Sequence, residues 1–244
     1  TFNYKMTDLT YCGENNFKSK ENIKNNVLSI FILYCALSFI ILCLLNFSGI
    51  RLFNSLNLSM TLISNGGFLP SDSLNEIISS NFQKIILIIS LVFSMLNIFL
   101  LFNFFSKKNL LKGHKEDLYL FTFAVILILL IYFNNFEGLN VIISVVSSLA
   151  NSGITLIKTD NNLSLYFLFI TIIGGSLISN SSGIKLSRFY ILLKITSSEI
   201  IKLISPNSII NKTIFNSENK ITNENVKISF LIFISFFLSL FILS

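Results

Sequence analysis

Apolar runs alternate with polar stretches along this chain. Residues 27–45, 85–105, 118–133, 165–173 and 228–243 are nearly free of charge. A helix that crosses a bilayer needs about 20 mostly apolar residues, with a range of roughly 17 to 25. Three of the runs approach that length, so the pattern predicts membrane-spanning helices. Between the first two runs lies 50–80, too short and too polar to cross and return as two full helices. Its first part, 52–63, carries apolar residues at helical spacing and predicts a half-membrane helix. The chain then enters the turn Ser64-Asn65-Gly66-Gly67-Phe68, where it is expected to run back extended. The same unit recurs downstream. A short helix over 139–149 leads into Ala150-Asn151-Ser152-Gly153-Ile154. Gly67 and Gly153 lie 86 residues apart (153 minus 67), and the flanking apolar runs keep that offset.

Irregular backbone at membrane depth is tolerated only where it is buried in protein or lines a water-filled path. An extended turn after a short helix presents a row of carbonyls, and rings of carbonyls can replace the hydration shell of K⁺. The short helix ends at its negative dipole pole, which favours a cation just beyond it. Glycine at 66, 67 and 153 permits backbone angles that a Cβ hinders. A single copy would fit an ordinary external loop. Two aligned copies, each between apolar runs, point to ion conduction.

A third feature follows the second unit. The stretch 171–185 is rich in Gly and Ser and interrupts an apolar segment that otherwise continues through 189–195. Residues 165–173 alone span only about 14 Å at 1.5 Å per residue. A long helix broken at mid-membrane depth is therefore expected, with a flexible plug near the pore.

Composition narrows the class further. The chain has 244 residues, of which 52% are hydrophobic and 12% charged, with a mean hydropathy of +0.74. There are too few polar residues to coat a soluble core of this size. Cys12 lies in the polar start, and Cys35 and Cys43 sit in the first apolar run, with no spacing that suggests a metal site or a disulfide framework. His114, the lone histidine, sits among charged residues and is expected to be a solvated loop residue. No constellation of nucleophile, base and acid, and no phosphate-cradling loop, supports an enzyme. The polar start and the apolar final helix suggest a piece of a longer protein.

Charge supplies an orientation. Residues 1–26, 106–117 and 185–227 hold fifteen of the eighteen basic residues, and the opposite side holds Arg51, Lys84 and Lys158. Basic loops stay in the cytoplasm, so both Gly-bearing turns are expected to face outward. Asp72, Glu76, Glu137 and Asp160 lie nearby, an acidic vestibule that would concentrate cations. The net charge of +6 thus reflects membrane topology, and no nucleic-acid partner is expected.

Three segments together resemble the pore subunit of the Trk/Ktr superfamily of bacterial potassium uptake systems, most closely its TrkH branch. Residues 60–68, ending Ser64-Asn65-Gly66-Gly67-Phe68, look like that family's second pore loop, usually S-T-G-G-F. Residues 145–154, ending Asn151-Ser152-Gly153-Ile154, look like the third, usually T-T-T-G-F. Residues 174–185 followed by Arg188 look like the broken inner helix after the third loop, the most specific of the three motifs. Asn65, Asn151 and Ser152 stand where the family usually has threonine, and Asn180 where its gate has one.

The resemblance implies an all-α membrane protein built of repeated helix–pore-loop–helix units in a pseudo-fourfold arrangement, here incomplete. It implies uptake of K⁺ or Na⁺ as the transported ion, with no other cofactor in this chain. The ion would be held by backbone carbonyls near Gly67 and Gly153, with Asn65, Gly66, Phe68, Asn151, Ser152 and Ile154 completing the two filter segments. Gly174, Gly175, Ser179, Asn180 and Gly183 would gate, with Lys185 and Arg188 anchoring the gate at the cytoplasmic face. It implies a multi-pass protein of the bacterial inner membrane, a homodimer of the complete subunit, and a cytosolic nucleotide-binding regulatory partner.

The expected organisation is a cytoplasmic segment 1–26, a second repeat over 27–105 and a cytoplasmic loop 106–117. A third repeat with its broken helix follows over 118–200, then a cytoplasmic loop 201–227, and 228–244 forms the outer helix of a fourth repeat. Two filter segments of four leave an ion incompletely coordinated, so these residues alone are not expected to complete a pore. The alternatives are a non-conducting truncated remnant of such a transporter, or an unrelated polytopic membrane carrier.

Overall fold

The computed structural model describes residues 20–71, 73–98, 100–101, 115–132, 138–156, 161–206, 213–215 and 221–243. Several expectations fall outside the described residues: residues 1–19, Asp72, Glu137, Asp160, His114 and most of the loop 106–117. Among the described residues the fold is all-helical, apart from short turns and loops. Its helices are α1 (Lys20–Phe47), α2 (Leu52–Ser64), α3 (Asn81–Met95), α4 (Lys115–Tyr132), α5 (Gly138–Ala150), α6 (Asn161–Ile173), α7 (Leu186–Ile204) and α8 (Asn223–Leu243). A 3₁₀ turn, Leu74–Glu76, lies between α2 and α3.

Helix lengths follow the apolar pattern. In α1 the stretch Ile30–Phe47 is long and apolar enough to cross a membrane. α2 and α5 have 13 residues each, about 20 Å of helix, enough for part of a bilayer. α1 ends where Gly49 takes a φ of +92°. The Gly49 N–H donates to the Asn46 carbonyl at 3.0 Å and the Ile50 N–H to the Leu45 carbonyl at 3.3 Å, the paired bonds of a left-handed helix stop. α3 begins with a reciprocal cap between Ser80 and Gln83. The same Gln83 donates from Nε2 to the Ser48 carbonyl at 3.1 Å, tying the start of α3 to the end of α1.

The apolar run 85–105 departs from a single long helix. α3 stops at Met95, Leu96 is extended, and helical geometry resumes at Ile98. The backbone here bonds sideways instead of along the helix. The Met95 carbonyl accepts from the Ser176 N–H at 3.1 Å, and the Ile98 N–H donates to the Ile178 carbonyl at 2.9 Å. The Asn97 N–H donates to Asp117 Oδ1 at 3.0 Å. Hydrophobicity alone does not register such diverted bonds.

The core is centred on α5, where Val141 and residues 143–150 are all buried. α5 packs on α3, α4 and α6, and α2 packs on α1 and α3. Leu58, Leu62, Leu87, Leu91, Met95, Ile143 and Leu149 join in one apolar cluster. The outer helices invert the pattern of a soluble protein. Phe31 and Phe39 on α1, Leu129 and Leu130 on α4, Phe169 on α6 and Phe241 on α8 are exposed. Apolar residues both inside and outside are the signature of a protein solvated by lipid.

Candidate functional site

The two Gly-bearing turns are the same structure twice. Asn65 and Asn151 both adopt the left-handed region, with φ of +54° and +59°. Gly67 and Gly153 follow with φ of +71° and +68°. The Gly66 N–H donates to the Thr61 carbonyl at 3.1 Å, and the Ser152 N–H donates to the Ser147 carbonyl at 3.0 Å. Each of these pairs keeps the 86-residue offset. Asparagine enters the left-handed region more readily than most side chains, so each short helix stops at its asparagine.

The turns also meet. A Cβ built on Gly67 would lie 2.5 Å from the Ser152 carbonyl oxygen, whereas one on Gly153 meets nothing within 4 Å. The two turns therefore touch at Gly67 and the Ser152 carbonyl. Buried polar atoms without a protein partner gather here: Asn65 Nδ2 and Oδ1, Asn151 Nδ2 and Thr61 Oγ1. Buried polar groups are nearly always hydrogen-bonded, so these atoms at the two turns stand out among the described residues.

The repeats differ in two instructive ways. In the second, Ser147 Oγ pairs with Ser152 Oγ at 2.9 Å. In the first, glycine at 66 leaves Thr61 Oγ1 without that partner. Ser152→Ala is expected to lower stability by about 1 kcal/mol, while Thr61→Val is expected to cost less. Thermal unfolding midpoints of the two variants check this; equal shifts would count against it. The second difference is cover. Val146 is 3% exposed beneath α3, whereas its repeat mate Met60 is 58% exposed; Ile154 is 1% exposed, whereas Phe68 is 82% exposed. An open cleft of about 400 Å³ lined by Phe53, Asn57, Met60, Thr61 and Phe68 runs along this uncovered side of α2.

The Gly/Ser-rich stretch is a loop, 174–185, joining α6 to α7. It caps its own break: the Ile172 and Ile173 carbonyls at the end of α6 accept from the Ile184 and Lys185 N–H groups, each at 2.9 Å. Gly174 and Gly183 hold φ of +71° and +89°. A Cβ on Gly174 would collide with the Ser182 carbonyl, and one on Gly175 would lie 2.7 Å from the Met95 carbonyl. That virtual Gly174 Cβ is also 3.4 Å from Asn151 Nδ2, so the loop begins directly beside the second turn.

Lys185 is buried, with 9% exposure, and its ammonium folds back into the loop. Nζ donates to the Ser179 carbonyl at 3.3 Å, to the Ser179 and Ser181 hydroxyls at 3.2 Å each, and to the Ser181 carbonyl. Ser179 and Ser181 are themselves linked at 2.7 Å. Glu116 at the start of α4 accepts from the Leu177 N–H at 2.9 Å, and its carboxylate is in electrostatic reach of Lys185 and Arg188. Arg188 is half-buried in the first turn of α7.

The structure therefore brings Asn65, Gly66, Gly67, Asn151, Ser152 and Gly153 together and sets the 174–185 loop beside them. Phe68 and Ile154 fall on opposite sides of burial. Sequence reasoning missed Tyr34, Met95, Glu116 and Asp117 as partners that hold the loop and the α3 break. The only available signal was an acidic pair, Glu116-Asp117, next to an apolar run, which reads as an ordinary helix start.

No family model matches the chain. An uncharacterized cation transporter of Methanocaldococcus jannaschii is 29% identical over 185 residues, covering 75% of this chain and 38% of that protein. The crystal structure of the potassium transporter TrkH from Vibrio parahaemolyticus superposes with a TM-score of 0.77 at 19% identity, covering 93% of this chain and 52% of that one. The chain thus spans about half the length of the solved protein it matches, and less of the archaeal one. With its doubled turns and broken helix arranged in this way, the chain has the fold of TrkH-like potassium transporters.

Proposed function

We propose that this chain supplies two adjacent units of a transmembrane cation pathway that takes up K⁺ or Na⁺. The observation that carries this is the pair of matched left-handed turns in contact with each other, each bearing a buried asparagine amide without a full set of protein partners. Carbonyls near Gly67 and Gly153 would hold the dehydrated ion, Asn65 and Asn151 would shape the site, and the 174–185 loop would gate it. The negative ends of α2 and α5 point toward the same place and favour a cation there. Further units would complete the ring. The uncovered side of α2 supports this, because α5 shows what covers the equivalent side: an apolar inner helix such as α3. Residence in the bacterial inner membrane, dimerisation of the complete subunit and docking of a nucleotide-binding regulatory partner belong to the same proposal by resemblance.

The test is rubidium uptake in potassium-uptake-deficient bacteria expressing the chain, against an empty vector. Uptake above background supports conduction, and competition by K⁺ or Na⁺ then ranks the ions. Protein confirmed in the membrane with background uptake would favour a fragment that needs further units, or a non-conducting remnant.

A further inference from the structure

We propose that Asn180 is a positioning residue: a latch that holds the gate loop shut by joining it to the first repeat, and that withdraws the Ile63 carbonyl from the ion path while closed. The inference rests on the transport reading above and adds a mechanism of closure to it. Asn180 Nδ2 donates to the Ile63 carbonyl at 2.7 Å, across 117 residues of sequence. Tyr34 Oη donates to Asn180 Oδ1, across 146 residues. The loop belongs to the second repeat, while Ile63 ends the short helix of the first and Tyr34 lies on its outer helix. One amide thus spans the two repeats.

The chemistry suits asparagine. Its amide offers a donor and an acceptor at once, and a carbonyl can only accept while this tyrosine hydroxyl donates. The loop's other described bonds run elsewhere. Ser176 and Ile178 bond through their backbones to Met95 and Ile98 at the α3 break, Leu177 bonds to Glu116, and Ser179 and Ser181 bond within the loop and to Lys185, so Asn180 carries the described side-chain link from the loop to α1 and α2.

Ile63 is the penultimate residue of α2. The last four carbonyls of a helix have no partner within it, and they form the pole that attracts a cation. With the loop closed, Asn180 occupies one of them. Release of the loop would open the path and return that carbonyl to the cation in the same movement.

The experiment is amide hydrogen exchange on the full chain in lipid nanodiscs, paired with rubidium flux. Loss of one such link shifts a local opening equilibrium by about tenfold, so Asn180→Ala is expected to speed exchange at 176–181 by that order while α5 stays protected. Tyr34→Phe removes only the hydroxyl and is expected to act in the same direction. The double variant is expected to go no further than Asn180→Ala alone. Ser182→Ala, at an exposed loop position, serves as the control. Unchanged exchange at 176–181 in Asn180→Ala overturns the latch, as does equal acceleration throughout α2 and α5. Where flux is measurable, both latch variants are expected to raise it in the resting state. Faster loop exchange with no flux even when further units complete the ring would uphold the latch and sink the transport reading. Flux without the exchange effect would do the reverse.

Discussion

Replacing Gly67 by alanine is expected to abolish cation flux, whereas the same change at Gly153 is expected only to reduce it. Both residues sit at positive φ, +71° and +68°, and an L-residue there costs about 1–2 kcal/mol. That cost is common to both. The difference is what the new methyl meets. At Gly67 it would lie 2.5 Å from the Ser152 carbonyl oxygen, and at Gly153 nothing lies within 4 Å. A backbone oxygen cannot swing away as a flexible side chain does. Gly67→Ala must therefore push apart the two turns that would present the ion's ligands. Displacement of reacting or coordinating atoms by even about 1 Å is enough to spoil a preorganised site. Rubidium uptake at matched membrane expression measures this. Equal losses in the two variants would mean that the turn-to-turn contact does not set the geometry. A bulkier residue at Gly153 is expected to abolish flux as well.

Lys185→Met is expected to produce a leaky protein with a disordered gate loop. The ammonium is the hub of the loop, with two carbonyls and two hydroxyls around it. It does for these oxygens what a bound cation would do. Hydrogen bonds to a charged group each contribute roughly 1.5–3 kcal/mol. Losing several of them, partly offset by easier burial of a methionine, would shift the loop's opening equilibrium by about ten- to hundredfold. The backbone adds to this, because Lys185 holds φ of +79°, a strained conformation that persists only while its surroundings enforce it. Resting rubidium flux should rise, and amides at 176–181 should lose protection from exchange. Lys185→Arg keeps the charge but not the compact geometry, so it is expected to fall between wild type and Met. A Met variant with a tight gate and an unchanged exchange pattern would show that the lysine is a passenger.

The legibility of this fold in its sequence was uneven. The doubled helix-and-turn unit was visible because its signals are local. A short apolar periodicity stops at Asn-Gly-Gly in one copy and Asn-Ser-Gly in the other, and α2 and α5 end within a residue of where that pattern stops. The helix break at 174–185 was visible for the same reason. The α3 break was not. Leu96 and Asn97 lie in an apolar run with no glycine or proline, and the helix breaks there as loop 174–185 takes up the Met95 carbonyl and the Ile98 N–H and Asp117 takes up the Asn97 N–H.

The candidate site divides along the same line. The residues expected to line it stand where local rules put them, on left-handed turns that follow short helices. Their partners could not be read from the chain. Tyr34 on Asn180, Glu116 on Leu177, and the Ser152 carbonyl against Gly67 are all long-range meetings. By itself, the sequence determined that this protein is helical, that it is solvated by lipid, and that it carries one turn twice and one broken helix. Those properties follow from composition and from periodicity over a few residues. Only the tertiary structure decided that the two turns touch, that the loop is hydrogen-bonded to the first repeat, and that one face of α2 stays uncovered while the equivalent face of α5 is buried. Such outcomes depend on which surfaces meet in space, and residues a hundred positions apart leave no mark on each other's local pattern.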